Sequence, residues 1–171
     1  MEDLALKKLV LDIAYKHKLS HLGSYFSSLD VIDKIYEQMD LNKDIFILSC
    51  GHAAVSLYAE IEKYYAIDAE QLLLKHGGHP HRDESNHIYC STGSLGLGLT
   101  VAIGRAIADP HKTVYCLISD GECAEGSIWE GLRYIQENAL TNIKVFVNVN
   151  GYAAYDAIDV KYLVERLKAF L

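Results

Sequence analysis

The sequence has little of what marks membrane or secreted proteins. Only 2 prolines and 4 cysteines occur among 171 residues. The cysteines form no CxxC pair, which argues against a disulfide framework or a zinc site and favours the reducing cytoplasm. No apolar run approaches the roughly 18 residues that span a bilayer, so we expect no membrane segment. The acidic start, Met1-Glu2-Asp3, is unlike a signal peptide.

Basic residues are outnumbered by acidic ones. The 16 Lys and Arg face 23 Asp and Glu, which gives a formal net charge of −7. An acidic surface repels phosphate backbones, so we expect no nucleic-acid partner. The composition is that of a globular protein, with 50% hydrophobic and 23% charged residues. Because no repeat, linker or low-complexity tract divides the chain, we predict a single domain over 1–171.

Short apolar runs alternate with segments of helical periodicity along the chain. This periodicity predicts helices over 3–19, 28–39 (capped by Ser28), 51–65, 69–75, 99–108, 127–139 and 159–170. Buried strands are predicted over 44–49, 113–118 and 143–149. The alternation indicates an α/β fold with a doubly wound, mostly parallel sheet and helices on both faces.

Polar residues follow each predicted strand. The turns bring His52, Asp120 and Asn150 to the carboxyl ends of the strands, the edge at which such sheets bind ligands. Carboxylate and amide oxygens suit Mg²⁺, and Gly121 lets the backbone approach an anionic ligand. A simpler interpretation stays open, because Asp120-Gly121 is also a common turn and His52 could cap its own helix.

Several sequence blocks follow one another in a recognisable order over 20–156. The blocks are Ser20-His21-x-Gly23-Ser24 with Ser28-x-Asp30-Val31, Phe46-Ile47-Leu48-Ser49-x-Gly51-His52-Ala53, Gly78-His79-Pro80, Ser91-Thr92-Gly93-Ser94-Leu95-Gly96-x-Gly98, and Asp120-Gly121-Glu122-x-x-Glu125-Gly126-x-x-Trp129-Glu130 with Asn148-Val149-Asn150-Gly151. Together they resemble the N-terminal, pyrophosphate-binding half of the transketolase family. Ser119 stands where the family has the first glycine of its Gly-Asp-Gly motif.

The resemblance implies a short version of the thiamine diphosphate-binding fold, with thiamine diphosphate as cofactor. Asp120 and Asn150 match the side chains that hold Mg²⁺ (or Ca²⁺ or Mn²⁺) in the family. Tyr152 matches the residue whose backbone carbonyl completes these metal ligands. The other matched cofactor-binding residues are His52, which reaches a phosphate, Gly93 and Leu95 beside the aminopyrimidine, Gly121 with its backbone N–H on the diphosphate, and Glu122.

The resemblance also implies catalytic residues. His21 and His79 match histidines that contact sugar hydroxyls and assist proton transfer, and His52 is counted with them. Glu125 matches a carboxylate that couples to the partner half across a dimer interface. The histidines without a motif position are predicted to lie at the surface, and they are His76, His81 and His87.

Two departures from the family shape the functional hypothesis. The family has an arginine before Gly-His-Pro that contacts substrate phosphate, but Lys75 and His76 stand here, which puts phosphorylated substrates in doubt. The glutamate that activates the cofactor lies in the pyrimidine-binding half of transketolases, and no such half follows in this sequence. The resemblance therefore implies a second, pyrimidine-binding subunit, in an α₂β₂ arrangement with the active sites at the interface.

We hypothesise that the chain is the N-terminal subunit of a split transketolase, which transfers a two-carbon ketol unit from a ketose to an aldose. One alternative is a subunit of another thiamine diphosphate enzyme, of the 1-deoxyxylulose-5-phosphate synthase or decarboxylating type. Another is a non-catalytic, cofactor-binding relic. The spacing Gly93-x-x-Gly96-x-Gly98 argues against a plain nucleotide-binding domain, because it is not GxGxxG and follows no clear strand.

Overall fold

Three parallel strands form the centre of the molecule. The computed structural model describes residues 2–153 and 156–170, so residues 1, 154, 155 and 171 of the predicted domain lie outside the described residues. The strands are β1 (Ile45–Leu48), β2 (Val114–Ser119) and β3 (Ile143–Asn148), paired in that order. The register aligns Leu48 with Leu117, and Ser119 with Asn148. All three strands therefore end at one edge of the sheet.

Helices cover both faces of this sheet. They are α1 (Glu2–Lys16), α2 (Leu22–Tyr36), α3 (Ala54–Tyr65), α4 (Ala69–His76), α5 (Leu97–Ala108), α6 (Gly126–Glu137) and α7 (Val160–Leu167). Short 3₁₀ turns lie at Gly51–Ala53, Glu84–Asn86, Gly121–Ala124 and Lys168–Phe170. Among the helices of the described residues, none combines the length and the apolar character that a bilayer crossing requires.

The side chains of β2 alternate between two hydrophobic cores. Tyr115 and Leu117 belong to the core formed with α1 to α4, whereas Val114, Cys116 and Ile118 belong to the core formed with α5, α6 and α7. Every residue of β2 is buried, as expected for a central strand covered on both faces. The predicted α/β class, with a parallel sheet between two helical layers, is confirmed.

The helix predicted over 28–39 was placed too late. The observed helix α2 begins at Leu22, and Ser28 lies buried within it rather than at its cap. Gly23 suggested a break, but glycine is tolerated in a first helical turn, where the backbone N–H groups have no partner inside the helix anyway. The other predicted elements lie where the structure has them and differ only at their ends, as helix and strand boundaries commonly do.

Helix α5 packs directly against the residue that follows β1. A Cβ atom on Gly98 would lie 2.5 Å from the Cα of Ser49, so the two backbones leave no space for a side chain. Gly104 lies on the exposed side of the same helix, where a Cβ would meet nothing within 4 Å. The close contact at Gly98 brings the loop before α5 to the carboxyl edge of the sheet.

These two glycines allow a matched test of the contact. We expect Gly98→Ala to lower the free energy of unfolding by about 1–3 kcal/mol, because the new methyl group overlaps the backbone of Ser49. Gly104→Ala should raise it by about 0.5–1 kcal/mol, because alanine favours the helix without a steric penalty. Urea unfolding followed by circular dichroism measures both changes. Equal stability of the two variants would contradict the packing described.

Candidate functional site

A cavity of about 610 Å³ lies at the carboxyl edge of the sheet. All of the site residues predicted from the sequence line it, except Glu122 and Glu125. Those that line it are His21, His52, His79, Gly93, Leu95, Asp120, Gly121, Asn150 and Tyr152. The lining residues that had no role predicted from the sequence are Ser20, Gly23, Ser24, Ser119 and Ala153. Ser20, Gly23 and Ser24 flank His21 in its motif, and that proximity was the available signal.

Asp120 ties the ends of β2 and β3 together. Its side chain is buried, and its Oδ2 accepts the backbone N–H groups of Asn150 (2.9 Å) and Gly151 (2.7 Å). Its Oδ1 accepts the N–H of Gly121 at 3.0 Å. Asp120 therefore caps its own turn, as the simpler interpretation holds. Its carboxylate also faces the cavity. A diphosphate that takes the N–H of Gly121 has to compete with Asp120 for it.

The turn after β3 places the amide of Asn150 next to this carboxylate. The Asn150 Oδ1 accepts the backbone N–H of Tyr152 at 3.0 Å, an Asx-type turn that fixes the amide oxygen. Asp120 and Asn150 thus offer carboxylate and amide oxygens at one place, and hard cations such as Mg²⁺ prefer oxygen ligands of these kinds. This donor set fits a divalent cation.

Asn148 connects β3 to α2 and so to the first histidine motif. Its side-chain amide donates to the hydroxyls of Ser27 and Ser28, each at 2.9 Å, and is buried. These two bonds hold α2, which begins directly after His21, against the end of β3. Asn148 belongs to one of the sequence motifs but had no predicted role. Its position at the end of a buried strand was the signal.

Three histidines surround the cavity at different depths. The rings of His21 and His52 lie 5.7 Å apart between centroids. His79 packs beside Gly93, so that a Cβ atom added to Gly93 would lie 3.3 Å from the His79 imidazole. The φ angle of Gly93 is +144°, a value that favours glycine. His52 is half-buried, while His21 and His79 are exposed. The exposed pair therefore stands where a substrate would enter.

The pKa of His52 is lowered from its ordinary value. Burial is the main cause, because it disfavours the charged imidazolium, and the neighbouring His21 and His79 act in the same direction. Asp120 opposes the shift. At neutral pH His52 is consequently a neutral imidazole, which can accept a proton at one ring nitrogen and donate one from the other.

The residues that line the cavity include these histidines and one carboxylate, but neither lysine nor arginine, within the described part of the chain. An anionic ligand would therefore meet the carboxylate of Asp120 without a fixed positive charge to balance it. A divalent cation held between Asp120 and the ligand removes this repulsion. An anionic ligand in this cavity would therefore need a cation beside Asp120.

Glu122 and Glu125 lie outside the cavity lining. Glu122 is fully buried, and its carboxylate faces the protein interior instead of the cavity. Glu125 is exposed at the N-cap position of α6. It lies next to Gly96, where an added Cβ would come within 2.9 Å of the Glu125 side chain. Glu125 is therefore free to meet another polypeptide at the surface.

His76 corrects the prediction that the histidines outside the motifs lie at the surface. His76 is buried at the end of α4, 3.2 Å from Asp83, since α4 packs its last turn against the following loop. His87 is half-buried and stacks on Tyr65 with ring centroids 3.5 Å apart. His81 is exposed, as predicted.

Comparison with known proteins gives a family and a fold. The family described as "Transketolase, thiamine diphosphate binding domain" matches residues 4–165. One of the subunits of the apulose-4-phosphate transketolase of Phocaeicola vulgatus is 32% identical over 164 residues, which cover 84% of this chain and 58% of that protein. Human transketolase is 33% identical over 135 residues, covering 72% of this chain and 22% of that protein. The chain thus spans less than two thirds of the length of these relatives.

Two further matches agree with this result. The 6-deoxy-6-sulfo-D-fructose transketolase subunit SqwG of a Clostridium species is 29% identical over 164 residues, covering 85% of this chain and 60% of that protein. The crystal structure of transketolase from Campylobacter jejuni superposes with a TM-score of 0.76 at 23% identity, covering 96% of this chain and 31% of that one. The structural match shows that the fold is shared.

The state of His52 can be measured directly. In a ¹H–¹³C NMR titration of the imidazole signals, assigned with His52→Gln, we expect His52 to titrate below the ordinary value of about 6.5. His21→Gln should move this midpoint upward, because it removes a neighbour that disfavours the imidazolium. A midpoint at or above 6.5, unmoved by His21→Gln, would show that His52 is not held neutral in the cavity.

Proposed function

Because the chain belongs to the transketolase family of thiamine diphosphate-binding domains, we propose that it is the pyrophosphate-binding subunit of a split transketolase. With a second subunit it would transfer a two-carbon ketol unit from a ketose to an aldose. The observation that carries this proposal is the cavity that all of the predicted cofactor and catalytic residues line, except Glu122 and Glu125. Both alternatives, another thiamine diphosphate reaction and a non-catalytic relic, become outcomes of the experiments below.

In this proposal a metal ion holds the cofactor's diphosphate at the strand ends. Asp120 and Asn150 would supply side-chain oxygens, and Tyr152 its backbone carbonyl, to Mg²⁺ or to Ca²⁺ or Mn²⁺ in its place. The absence of lysine and arginine from the described lining supports this arrangement, because the charge of the diphosphate has to be balanced by another cation. His52, Gly93, Leu95 and Gly121 line the same cavity and would contact the rest of the cofactor.

The histidines would handle protons on the sugar. Thiamine diphosphate, when bound, supplies the nucleophilic carbon that takes up the two-carbon unit. His21 and His79 stand exposed at the cavity, where they can bind and orient substrate hydroxyls. His52, kept neutral by its surroundings, can accept or donate a proton near neutral pH.

The partner would be a separate pyrimidine-binding subunit, and we propose an α₂β₂ heterotetramer. Two of the relatives are themselves named as transketolase subunits, which supports a divided enzyme. Glu125 is exposed beside the cofactor loops and would couple to that partner. We further propose that residues 1–171 form one domain and that the protein acts in the cytoplasm, because its four cysteines are free and buried.

Lys75 and His76 stand where the family has its phosphate-contacting arginine, and among the described residues both are held away from the cavity. Lys75 is bound to Asp83 at 2.6 Å, and His76 is buried against the same carboxylate. Neither of them lines the cavity. We propose that this chain does not select for a phosphate on the sugar, so that any such selection would fall to the partner subunit.

Asp120→Asn tests the metal-binding role. In the complex with the partner, we expect this variant to weaken thiamine diphosphate binding at least about 10-fold at a fixed Mg²⁺ concentration, because an amide is a poorer ligand than a carboxylate. A higher Mg²⁺ concentration should restore part of the affinity. Equilibrium dialysis measures both effects, and Asp12→Asn, an exposed change on α1, is the matched control. An affinity equal to that of the wild type would reject Asp120 as a ligand.

Reconstitution tests the reaction itself. The chain is purified with a polypeptide that carries a pyrimidine-binding domain and is supplied with ketose–aldose pairs, the ketose labelled with ¹³C in its first two carbons. We expect mass spectrometry to detect the labelled two-carbon unit in the aldose-derived product, and only when both polypeptides are present. Release of CO₂ from pyruvate instead would favour the decarboxylating alternative. Cofactor binding without turnover of any substrate would favour the relic.

A further inference from the structure

The carboxylate of Glu122 holds together three segments around the cavity without lining it. Glu122 follows Asp120 and Gly121 in the turn after β2, and its exposed fraction is 0%. Its Oε1 accepts the hydroxyl of Ser49 at 2.6 Å and the backbone N–H of Gly96 at 2.9 Å. Its Oε2 accepts the backbone N–H of Ser119 at 2.9 Å and faces the hydroxyl of the same serine at 3.5 Å.

Each of these donors belongs to a segment that carries cavity residues. Ser49 lies between β1 and His52, and Ser119 directly precedes Asp120. Gly96 ends the loop that contributes Gly93 and Leu95. One buried carboxylate therefore sets the distances between the histidine, the glycine-rich loop and the aspartate at the metal site.

A carboxylate that only filled space at this position would destabilise the fold, because it would lose its hydration. Burying a charged group is unfavourable unless hydrogen bonds satisfy it, and an apolar side chain of similar size would avoid that penalty. Here hydroxyl and backbone N–H donors satisfy both oxygens. The position thus gains defined geometry, which is what a site assembled from three loops needs.

The packing around Gly96 shows how little freedom these loops have. Gly96 has φ +80°, and a Cβ there would lie 2.4 Å from the Ser127 hydroxyl, which itself donates to the Gly96 carbonyl at 3.1 Å. A shift of the carboxylate would move the Gly96 backbone against α6 on one side or away from Ser49 on the other.

We propose that Glu122 is a positioning residue, which fixes the segments of His52, Gly93 and Asp120 relative to one another and so preorganises the thiamine diphosphate site. This role rests on the proposed function. It differs from the cofactor contact expected from the sequence, because Glu122 acts through Ser49, Gly96 and Ser119 and does not touch the ligand.

Glu122→Gln provides the sharpest change. Each carboxylate oxygen accepts a backbone N–H, so whichever way the glutamine turns, its NH₂ group faces the N–H of Gly96 or of Ser119. We expect the dissociation constant for thiamine diphosphate, measured by calorimetry on the complex with Mg²⁺, to rise at least about 10-fold. Glu137→Gln, which makes the same change at the exposed last residue of α6 and outside the sequence motifs, is the matched control and should leave the affinity unchanged.

A loss of stability is separated from a loss of positioning in two ways. First, the dissociation constant for thiamine diphosphate is measured well below the unfolding temperature of each variant, where a change in stability does not alter the binding of folded molecules. Second, the fluorescence emission of the single tryptophan of this chain, Trp129, shows whether the same turn is still folded, because its indole N–H donates to the Cys123 carbonyl at 2.8 Å.

Ser49→Ala removes one of the donors to Glu122 and should weaken cofactor binding less than Glu122→Gln does. The variant that carries both changes should bind the cofactor no more weakly than Glu122→Gln alone.

The outcomes distinguish this inference from the function on which it rests. Failure of the wild-type complex to bind thiamine diphosphate would overturn the proposed function and the inference with it. Wild-type binding that Glu122→Gln leaves unchanged would overturn only the positioning role. If Glu122→Gln does not fold, Ser49→Ala decides, since an unchanged affinity in that folded variant would also overturn the role and a weakened one would support it.

Discussion

The parallel register of the three strands is the constraint on which the site depends. Segments that lie far apart in the chain end together because Leu48 pairs with Leu117, and Ser119 with Asn148. The residues just beyond these pairs, His52, Asp120 and Asn150, consequently share one edge. Asp120 then joins two of the strand ends by accepting N–H groups from the turn after β3. A one-residue slip in either pairing would separate the groups that meet at the cavity.

The charges at this edge explain the chemistry that the site can support. Asp120 is a buried carboxylate in a cavity whose described lining holds three histidines and neither lysine nor arginine. In the proposed function this edge binds the cofactor's diphosphate together with a cation, which balances the charge of Asp120. Burial lowers the pKa of His52, with a contribution in the same direction from His21 and His79, and this outweighs the opposing carboxylate of Asp120. The balance of charge at this edge therefore governs anion binding, whereas the burial of His52 governs its protonation state.

Much of this arrangement could be predicted from the sequence, because strand ends and their polar turns are local signals. The alternation of apolar runs and helices was enough to predict that His52, Asp120 and Asn150 lie at one edge of the sheet. The role of Glu122 was harder to predict, because the donors at Ser49 and Gly96 come from segments distant in the sequence. Only the fold shows that its carboxylate faces the protein interior. The burial of His76 and the early start of α2 were missed for the same reason: both depend on packing against other elements.

A crystal structure of the chain grown with thiamine diphosphate and Mg²⁺, in the complex with its partner, tests the central claim most directly. We expect the diphosphate in the cavity between His52 and Gly121. We also expect a metal ion bound by the side chains of Asp120 and Asn150 and by the carbonyl of Tyr152. A diphosphate bound away from this edge of the sheet, or a metal ion that touches neither side chain, would contradict the claim.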